Sequence, residues 1–217
     1  MDFVAARRNM VECQLRTNRV TDASILSAMG SVPREQFVPA DMAEIAYVDE
    51  DLPVGHHRHL MEPMVLGRLL QSAGPTATEV ALCVGGGTGY SAAILSLMTR
   101  AVFSLDCESA ITALATEKFA ELGYDNAVAV EGDLSRGWPD EAPYDLVLFD
   151  GAVAEIPQAI YDQLADNGRL MAVFSQEGRA GRAILMNKRG GNMSHRDLFN
   201  ANIPRLPEFE VKASFVF

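Results

Sequence analysis

Cysteine is scarce in this sequence, and its few thiols are widely spaced. Three cysteines occur in 217 residues, at Cys13, Cys83 and Cys107, and no two of them form a C-x-x-C pair. This spacing excludes a disulfide framework and a cysteine zinc site, and is typical of free thiols in a reducing compartment. The sequence also lacks an apolar run long enough to cross a bilayer, and residues 1–16 lack the apolar core of a signal peptide. We therefore expect a cytoplasmic protein without a membrane partner.

Positive charge is also in short supply. The chain has 18 Lys and Arg against 29 Asp and Glu, a formal net charge of −11, and its densest basic cluster is only Lys188-Arg189. An acidic surface repels nucleic-acid phosphates, so nucleic acid is not an expected partner. Apolar residues make up 48% of the chain, which excludes disorder, and the length fits one α/β domain with an extension.

The first third of the chain is predicted to be helical with loops. The apolar spacing from Val4 to Leu15 is helical, Thr21-Asp22 can cap a second helix, and a third helix is expected from Pro63 to Gly74. Residues 49–59 are predicted to form a loop. We take residues 1–74 as a helical extension packed on the domain that residues 75–217 form.

Beyond residue 75, strands and helices alternate, which predicts right-handed crossovers and a mostly parallel sheet. The expected strands are Glu79–Val84, Ala101–Leu105, Ala127–Val130, Tyr144–Phe149 and Arg169–Phe174, with helices near Gly89–Met98, Glu108–Leu122 and Ile156–Leu164. Near the C-terminus no helix separates the strands predicted at Ala183–Asn187, Ser194–Asn200 and Glu210–Phe217. The expected fold is therefore α/β, a mostly parallel seven-stranded sheet with an antiparallel C-terminal edge.

A glycine-rich segment follows the first of these strands. Gly85, Gly87 and Gly89 give G-x-G-x-G where the strand ends and a helix begins. Without Cβ atoms the backbone can turn sharply and approach a ligand, while helix N–H groups point into the site. No Gly-Lys-Ser/Thr follows, which excludes a phosphate-binding P-loop. A purely structural turn between helix and sheet is the alternative.

An acidic residue follows each of three strands. Asp106 stands about twenty residues after the glycines, where a carboxylate can accept hydrogen bonds from both ribose hydroxyls. Asp133 is a candidate for an adenine amino group, and Asp150 is expected to face the donor or the acceptor. A helix cap at Asp106 and a turn at Asp133 are the structural alternatives. Adenosine fits these acids better than a dinucleotide, because the third acid has a natural task with adenosine and the glycine segment need not hold a pyrophosphate. The alternative, a nicotinamide dehydrogenase, needs a catalytic His, Lys or Tyr in the second half, where Tyr161 and His195 are the obvious His and Tyr and have no supporting context.

Longer motifs carry a resemblance along nearly the whole chain. They are MVECQLR, VPREQFVP, LPVG, VGGGTGYSAAILS, LGYDNAVAVEGDLSRGWPDEAPYD and AEIPQAIYDQLADNGRL. In this order they resemble the protein-L-isoaspartate O-methyltransferases, and VPREQFVP and GWPDEAPYD are far more specific than the glycine segment. The resemblance implies a Rossmann-like class I methyltransferase fold with S-adenosylmethionine as cofactor.

The resemblance also implies a reaction and a substrate. A methyl group passes to the misplaced carboxylate of an L-isoaspartyl residue in a damaged peptide or protein, and the ester collapses to a succinimide. An ionised carboxylate is already a nucleophile, so alignment supplies most of the rate and no general base is required. Donor-binding roles are implied for Cys83, Gly85, Gly87, Gly89, Asp106, Asp133 and Asp150.

The segment Gly55–Pro63 departs from the family pattern G-Y-G-Q-T-I-S-Q-P. His59 stands at the threonine position and Met61 at the serine position, and we keep both as the acceptor-loop residues. Methionine cannot donate a hydrogen bond, and Glu62, in place of Gln, repels a carboxylate. His59 or Arg58 is a candidate to compensate ionically. A metal site at the histidines and a solvated loop are alternative interpretations.

Cys83 is a second departure, because the family has Glu or Asp there to order the glycine segment and receive the donor's methionine end. Asp150 is a candidate to replace part of that charge. These changes leave a second hypothesis open, in which the protein is a degenerate family member. It would bind adenosyl compounds, or nothing, and act as a binding or regulatory protein.

Overall fold

The N-terminal region is largely helical, as predicted. A computed structural model describes residues 1–176 and 179–209 of the chain. Its first elements are α1 (Phe3–Asn9), a π-helical continuation (Met10–Leu15), α2 (Ala23–Ser31) and, after two 3₁₀ turns, α3 (Pro63–Ala73).

The ends of α2 and α3 coincide with the predicted capping residues. Asp22 accepts hydrogen bonds from the backbone N–H groups of Ser24 at 2.9 Å and Ile25 at 3.3 Å. These donors have no partner within the first helical turn, so the cap stabilises the helix. α3 begins at Pro63 and ends at Gly74, whose φ of +61° is the left-handed conformation of a helix end. Both predictions are confirmed.

The prediction of a loop at residues 49–59 was wrong, because this segment forms a hairpin. Strands β1 (Leu52–Gly55) and β2 (Arg58–Leu60) pair antiparallel. Their turn consists of His56 and His57, with φ of +50° and +57°. Hairpin turns of this conformation are usually marked by Asn-Gly or Asp-Gly, so two histidines gave the sequence no turn signal.

The rest of the described chain builds one seven-stranded sheet. Its strands are β3 (Val80–Val84), β4 (Ala101–Asp106), β5 (Ala127–Glu131), β6 (Tyr144–Val153), β7 (Leu164–Phe174), β8 (Arg182–Arg189) and β9 (Asn192–Asn200). The order is β5-β4-β3-β6-β7-β8-β9, with the first five parallel and the last two antiparallel. The predicted fold class is confirmed.

Helices α4 (Tyr90–Ser96), α5 (Ser109–Leu122) and α6 (Gln158–Asp162) connect the parallel strands. β6 continues past its predicted end at Phe149, since the residues that follow are also buried. α6 is shorter than predicted, because Leu164 already pairs with Tyr144 as part of β7. The strand predicted at Glu210–Phe217 lies outside the described residues.

Two apolar clusters cover the two faces of the sheet. The first joins the N-terminal helices to the sheet and contains Leu15, Leu66 and Leu148, each fully buried. The second, on the opposite face, contains Phe149 and Ile160. Each fully buried side chain of this size stabilises the fold by roughly 2 kcal/mol. Within the described residues, no helix has the length and apolar character to span a membrane.

Parallel pairing brings the carboxyl ends of β3, β4, β5 and β6 to one edge of the sheet. Ligands of open α/β sheets bind at this edge. The glycine segment and the acidic residues singled out from the sequence all lie there.

Candidate active site

The glycine segment forms the predicted turn between β3 and α4. Gly85, Gly87 and Gly89 have φ of +75°, +55° and +95°, a backbone conformation that L-residues rarely adopt. Gly86, which the spacing did not single out, packs so closely on Ser104 that a Cβ atom would collide with its hydroxyl. The strand–turn–helix structure is confirmed, whereas the ligand role of these glycines stays a prediction.

Asp106 lies at the end of β4, directly beside this turn. Its side chain is 2% exposed. Oδ2 accepts a hydrogen bond from the Gly87 backbone N–H at 3.0 Å, and Oδ1 accepts from the N–H groups of Cys107 at 2.8 Å and Glu108 at 3.3 Å. Asp106 therefore connects the glycine turn to the two residues that precede α5. The N-cap of α5 is Glu108, and no side chain in the described part of the chain caps this helix, so the capping role considered as the alternative for Asp106 is not found.

Arg58 also binds Asp106, and the sequence did not predict this contact. Its Nε donates to Oδ2 at 2.9 Å and its Nη2 to Oδ1 at 3.0 Å, a bidentate pair in which the Arg58 side chain is 1% exposed. Nη2 also donates to Glu208 at 2.8 Å. Burial alone lowers the pKa of Arg58, but the hydrogen bonds to Asp106 and Glu208 outweigh it and raise the pKa. Arg58 thus points into the predicted ribose position, away from the acceptor role considered for it.

Cys107 lies against the same ion pairs. Its Sγ is 3.1 Å from Oε1 of Glu208. Burial first, and then the hydrogen bond to Glu208, raise the pKa of the Cys107 thiol to about 11. Burial raises the pKa of Glu208, but hydrogen bonds from Arg58 and Cys107 reverse this and lower it. Glu208 is therefore a carboxylate and Cys107 a neutral thiol at pH 7.

The C-terminal segment covers the glycine turn from the other side. Leu206 donates its backbone N–H to the carbonyl of Ala152 at 2.9 Å, and the Ala152 N–H donates to the Pro204 carbonyl at 2.9 Å. The Leu206 side chain packs so closely that a Cβ atom on Gly85 would lie 2.6 Å from its Cδ2, and one on Gly151 would lie 2.7 Å from its Cγ. No sequence motif pointed to Leu206.

The predicted acceptor residues lie around a narrow cleft next to this segment. His59, Met61 and Asp150 line it together with Asp51 and His57. The cleft has a volume of about 10 Å³, which is close to the ~10–15 Å³ that a single water needs. The structure therefore brings both acceptor-loop residues to one cleft with Asp150.

Burial perturbs the pKa values of Asp150 and His59, which line the cleft, and of Glu62, which follows Met61 in the chain. Burial raises the pKa of Asp150 to about 7, and its Oδ1 has no hydrogen-bond partner among the described residues. Burial and then the neighbouring His57 lower the pKa of His59. Burial first, and then the charges of nearby acidic residues, raise the pKa of Glu62 to about 7. Close to pH 7, Glu62 is therefore only half ionised and repels a carboxylate less than the sequence suggested.

Cys83 lies inside the sheet, fully buried within β3. Burial first, and then the charge of Asp150, raise the pKa of its thiol well above the ordinary value. Cys83 is therefore a neutral side chain, and its role at the donor's methionine end stays a prediction.

Asp133 follows β5 and is exposed. Its Oδ1 accepts hydrogen bonds from the Ser135 backbone N–H at 2.8 Å and the Ser135 hydroxyl at 2.7 Å. These contacts cap the short 3₁₀ helix Leu134–Arg136. They are the turn considered as the alternative, and the adenine role remains a prediction.

The histidines of the hairpin do not gather into a metal site. Among the described residues, no group of three or more His, Cys, Asp or Glu side chains is placed to hold a metal ion. Arg58 is turned inward, and His56 Nδ1 lies 3.6 Å from Oε2 of Glu108 at the surface.

Comparisons with known proteins show to which family this chain belongs. The model of the protein-L-isoaspartate(D-aspartate) O-methyltransferase family matches residues 6–202. A protein-L-isoaspartate O-methyltransferase 2 from Anaeromyxobacter sp. (strain Fw109-5) is 37% identical over 191 residues, covering 87% of this chain and 79% of the relative. This chain belongs to that family. A relative from Koribacter versatilis (strain Ellin345), also called a protein-L-isoaspartate O-methyltransferase, is 37% identical over 90% of this chain and 88% of its own.

Solved structures of the family have the same fold. One called a protein-L-isoaspartate O-methyltransferase superposes with a TM-score of 0.81 at 24% identity, over 92% of this chain and 65% of that chain. A proposed family member from Plasmodium falciparum, solved with S-adenosyl-L-homocysteine, gives a TM-score of 0.77 at 18% identity, over 96% of this chain and 99% of that one. The Rossmann-like methyltransferase fold implied by the resemblance is confirmed.

Proposed function

We propose that this protein is an S-adenosylmethionine-dependent O-methyltransferase of the protein-L-isoaspartate (D-aspartate) type, which methylates a carboxylate on damaged protein. The observation that carries the proposal is the juxtaposition of Asp106 with the glycine turn at the carboxyl edge of the sheet, in a chain that belongs to this family. An isoaspartyl peptide or protein is the substrate in this proposal.

The donor set fits S-adenosylmethionine in chemistry and placement. The carboxylate of Asp106 suits ribose hydroxyls, and the exposed Asp133 suits the adenine amino group. Gly85 and Gly87 provide a backbone that a ligand can approach once the side chains packed over them, Leu206 and Arg58, move away. When bound, S-adenosylmethionine supplies a methyl group on a sulfonium, which is electrophilic without further activation.

The protein's own task on the acceptor side is to bind and align a carboxylate. The buried Met61 gives the cleft an apolar wall that excludes water. Asp150, with its raised pKa, carries a proton on a large fraction of molecules at pH 7 and can donate a hydrogen bond to a carboxylate oxygen. His59 also lines the cleft and is a further polar group that an acceptor can contact there. No proton has to leave the nucleophile, so alignment supplies most of the rate.

We further propose that residues 1–74 form the extension that carries the acceptor loop, and that residues 75–217 bind the donor. The acidic composition and free cysteines support a cytoplasmic location without a nucleic-acid partner.

The test is a methyl-transfer assay with radiolabelled S-adenosylmethionine. Its substrates are a synthetic isoaspartyl peptide and the same peptide with a normal aspartate. We expect base-labile label on the isoaspartyl peptide alone. Absence of transfer to the isoaspartyl peptide, under conditions where calorimetry detects donor binding, would reject this acceptor.

A further inference from the structure

We propose that Arg58 and the segment Leu206–Glu208 act as an internal competitor for the donor, occupying its ribose position and the space above the glycine turn. The inference rests on the proposed function, because it concerns the same donor site. It adds that donor binding requires the hairpin and the C-terminal segment to move apart.

Asp106 has no hydrogen-bonding capacity left for a ribose. A carboxylate has about four lone-pair sites for hydrogen bonds. Asp106 already accepts from three backbone N–H groups, at 2.8 to 3.3 Å, and twice from Arg58, at 2.9 and 3.0 Å. Two ribose hydroxyls therefore cannot bind Asp106 until the guanidinium of Arg58 leaves.

Arg58 and Leu206 also occupy the space above the glycine turn. The Cβ atom of Arg58 lies 3.5 Å from the position of a Cβ on Gly87, so the arginine packs directly over the glycine turn. Leu206 packs over Gly85 in the same way, since a Cβ atom on Gly85 would lie 2.6 Å from its Cδ2. Glycines that would let a ligand approach are in contact with the protein's own side chains.

Neither competing element is a strand of the central seven-stranded sheet. Arg58 belongs to the hairpin β1–β2, which forms a separate two-stranded sheet. A two-stranded hairpin is only marginally stable by itself. The C-terminal segment is tied to the end of β6 by the two backbone hydrogen bonds of Ala152 and by the packing of Phe209 on Phe149, with ring centroids 5.3 Å apart. Its Arg205 Nε also donates to the Ser175 hydroxyl at 3.2 Å. Arg58 and Glu208 connect the hairpin and the segment, so release of one loosens the other.

The bidentate pair leaves one donor of the Arg58 guanidinium without a partner in the described part of the chain, which favours its dissociation from Asp106. Nη1 of Arg58 is buried and has no hydrogen-bond partner among the described residues. A buried donor without a partner costs free energy that solvent exposure recovers. The pairing of Arg58 with Asp106 and Glu208 therefore stabilises the site by less than it would if every donor of the guanidinium had a partner.

The experiment measures S-adenosylhomocysteine binding to the full chain by isothermal titration calorimetry. Arg58→Met removes the competing guanidinium. We expect the dissociation constant of this variant for S-adenosylhomocysteine to be lower than that of the wild type by roughly tenfold or more. Arg169→Met is the matched control. It removes a bidentate arginine that binds Glu79 at 2.6 and 3.0 Å, at the opposite end of the sheet, and should leave the affinity unchanged.

A second variant keeps the test valid where Arg58→Met fails to fold. Glu208→Gln weakens the outer contact of Arg58 and leaves Asp106 paired, so we expect a smaller gain of about two- to fivefold in affinity. If Arg58→Met binds S-adenosylhomocysteine no more tightly than the wild type, the proposed competition is rejected. If only Glu208→Gln folds, the same result for that variant rejects it. Failure of the wild type and every folded variant to bind S-adenosylhomocysteine rejects the donor site of the proposed function as well.

Hydrogen exchange gives a readout that is independent of affinity. If the ligand displaces the competitor, saturating S-adenosylhomocysteine accelerates amide exchange in residues 52–60 and 204–209 of the wild type. Slower exchange in both segments would mean that they close over the ligand, and would overturn the proposal.

Discussion

Asp51 accepts a hydrogen bond from the backbone N–H of Glu62 at 2.9 Å, which holds the Asp51 carboxyl group at the end of the acceptor loop. Burial first, and then the charge of Asp51, raise the pKa of Glu62 to about 7. Asp150, at the cleft itself, has a pKa raised to about 7 by burial. Glu62 and Asp150 therefore change charge close to neutral pH, so we expect acceptor binding to depend on pH.

The first prediction concerns the affinity for the acceptor. Above about pH 7 the carboxyl groups of Glu62 and Asp150 are ionised and repel the isoaspartyl carboxylate. Below about pH 7 these two groups are largely protonated and the repulsion is weaker. We expect KM for an isoaspartyl peptide to rise several-fold between about pH 6 and pH 8, with a smaller change in kcat. In the Glu62→Gln variant the rise should be smaller. A KM that is constant over this range in the wild type would contradict the prediction.

The second prediction concerns stability and Asp150. Between the ordinary aspartate pKa of 3.8 and the folded value of about 7, the folded state keeps a proton that the unfolded chain loses, so stability falls as pH rises. The loss is about 4 kcal/mol once pH exceeds the folded pKa. Asp150→Asn removes this pH-dependent loss. In urea unfolding, the free energy of unfolding of the variant minus that of the wild type should be about 2–3 kcal/mol larger at pH 8 than at pH 5.

The matched control for this variant is Asp140→Asn, at an exposed position outside the core. Its difference from the wild type should be the same at both pH values. An equal effect of pH on the two variants would show that the Asp150 carboxyl group ionises as it does in water.

The third prediction separates backbone strain from close packing at the glycine turn. Gly89 has a φ of +95°, and a Cβ atom there would lie 2.6 Å from the Phe119 ring, whereas Gly190 has a φ of +54° and open space around it. Gly190→Ala should cost about 1 kcal/mol of unfolding free energy from its conformation alone. Gly89→Ala should cost about 2–4 kcal/mol, because the clash adds to the strain. Equal costs in urea unfolding would mean that Phe119 moves aside freely.

The fourth prediction concerns the hairpin turn. His57 is exposed and has a φ of +57°, which an L-residue adopts at a cost. His57→Gly should raise the unfolding free energy by about 0.5–1 kcal/mol, since the relief of strain exceeds the entropy that glycine adds to the unfolded chain. Asn167→Gly, at a φ of +65°, is the comparison. Asparagine tolerates this conformation, so its gain should be smaller or absent.

The sequence predicted the parts of the fold that depend on local patterns. Runs of apolar residues predicted the buried parallel strands, and Asp22 and Pro63 predicted helix starts, because caps act within one turn of chain. The hairpin was missed because the turn residues His56 and His57 carry no conformational signal. Whether residue 74 divides the chain into two functional parts stays a prediction.

The candidate site was predictable in its positions but not in its contacts. The glycines and Asp106 were found from their spacing. Arg58 was misplaced, because its partner lies 48 positions away in the sequence and a buried ion pair depends on the tertiary fold. Leu206 is a single apolar residue in an irregular segment, where no periodicity reveals what it covers.

Cys107 offers a direct chemical report on the opening of the site. Thiol reagents react with the thiolate, and burial together with Glu208 keeps the pKa of Cys107 near 11, so alkylation is slow while Glu208 stays 3.1 Å away. When that carboxylate withdraws, the thiolate forms more readily and labelling accelerates. Cys83 is fully buried and Cys13 is exposed, so a Cys13→Ser background makes Cys107 the reactive thiol. The rate of alkylation in that background then measures how often Glu208 leaves Arg58.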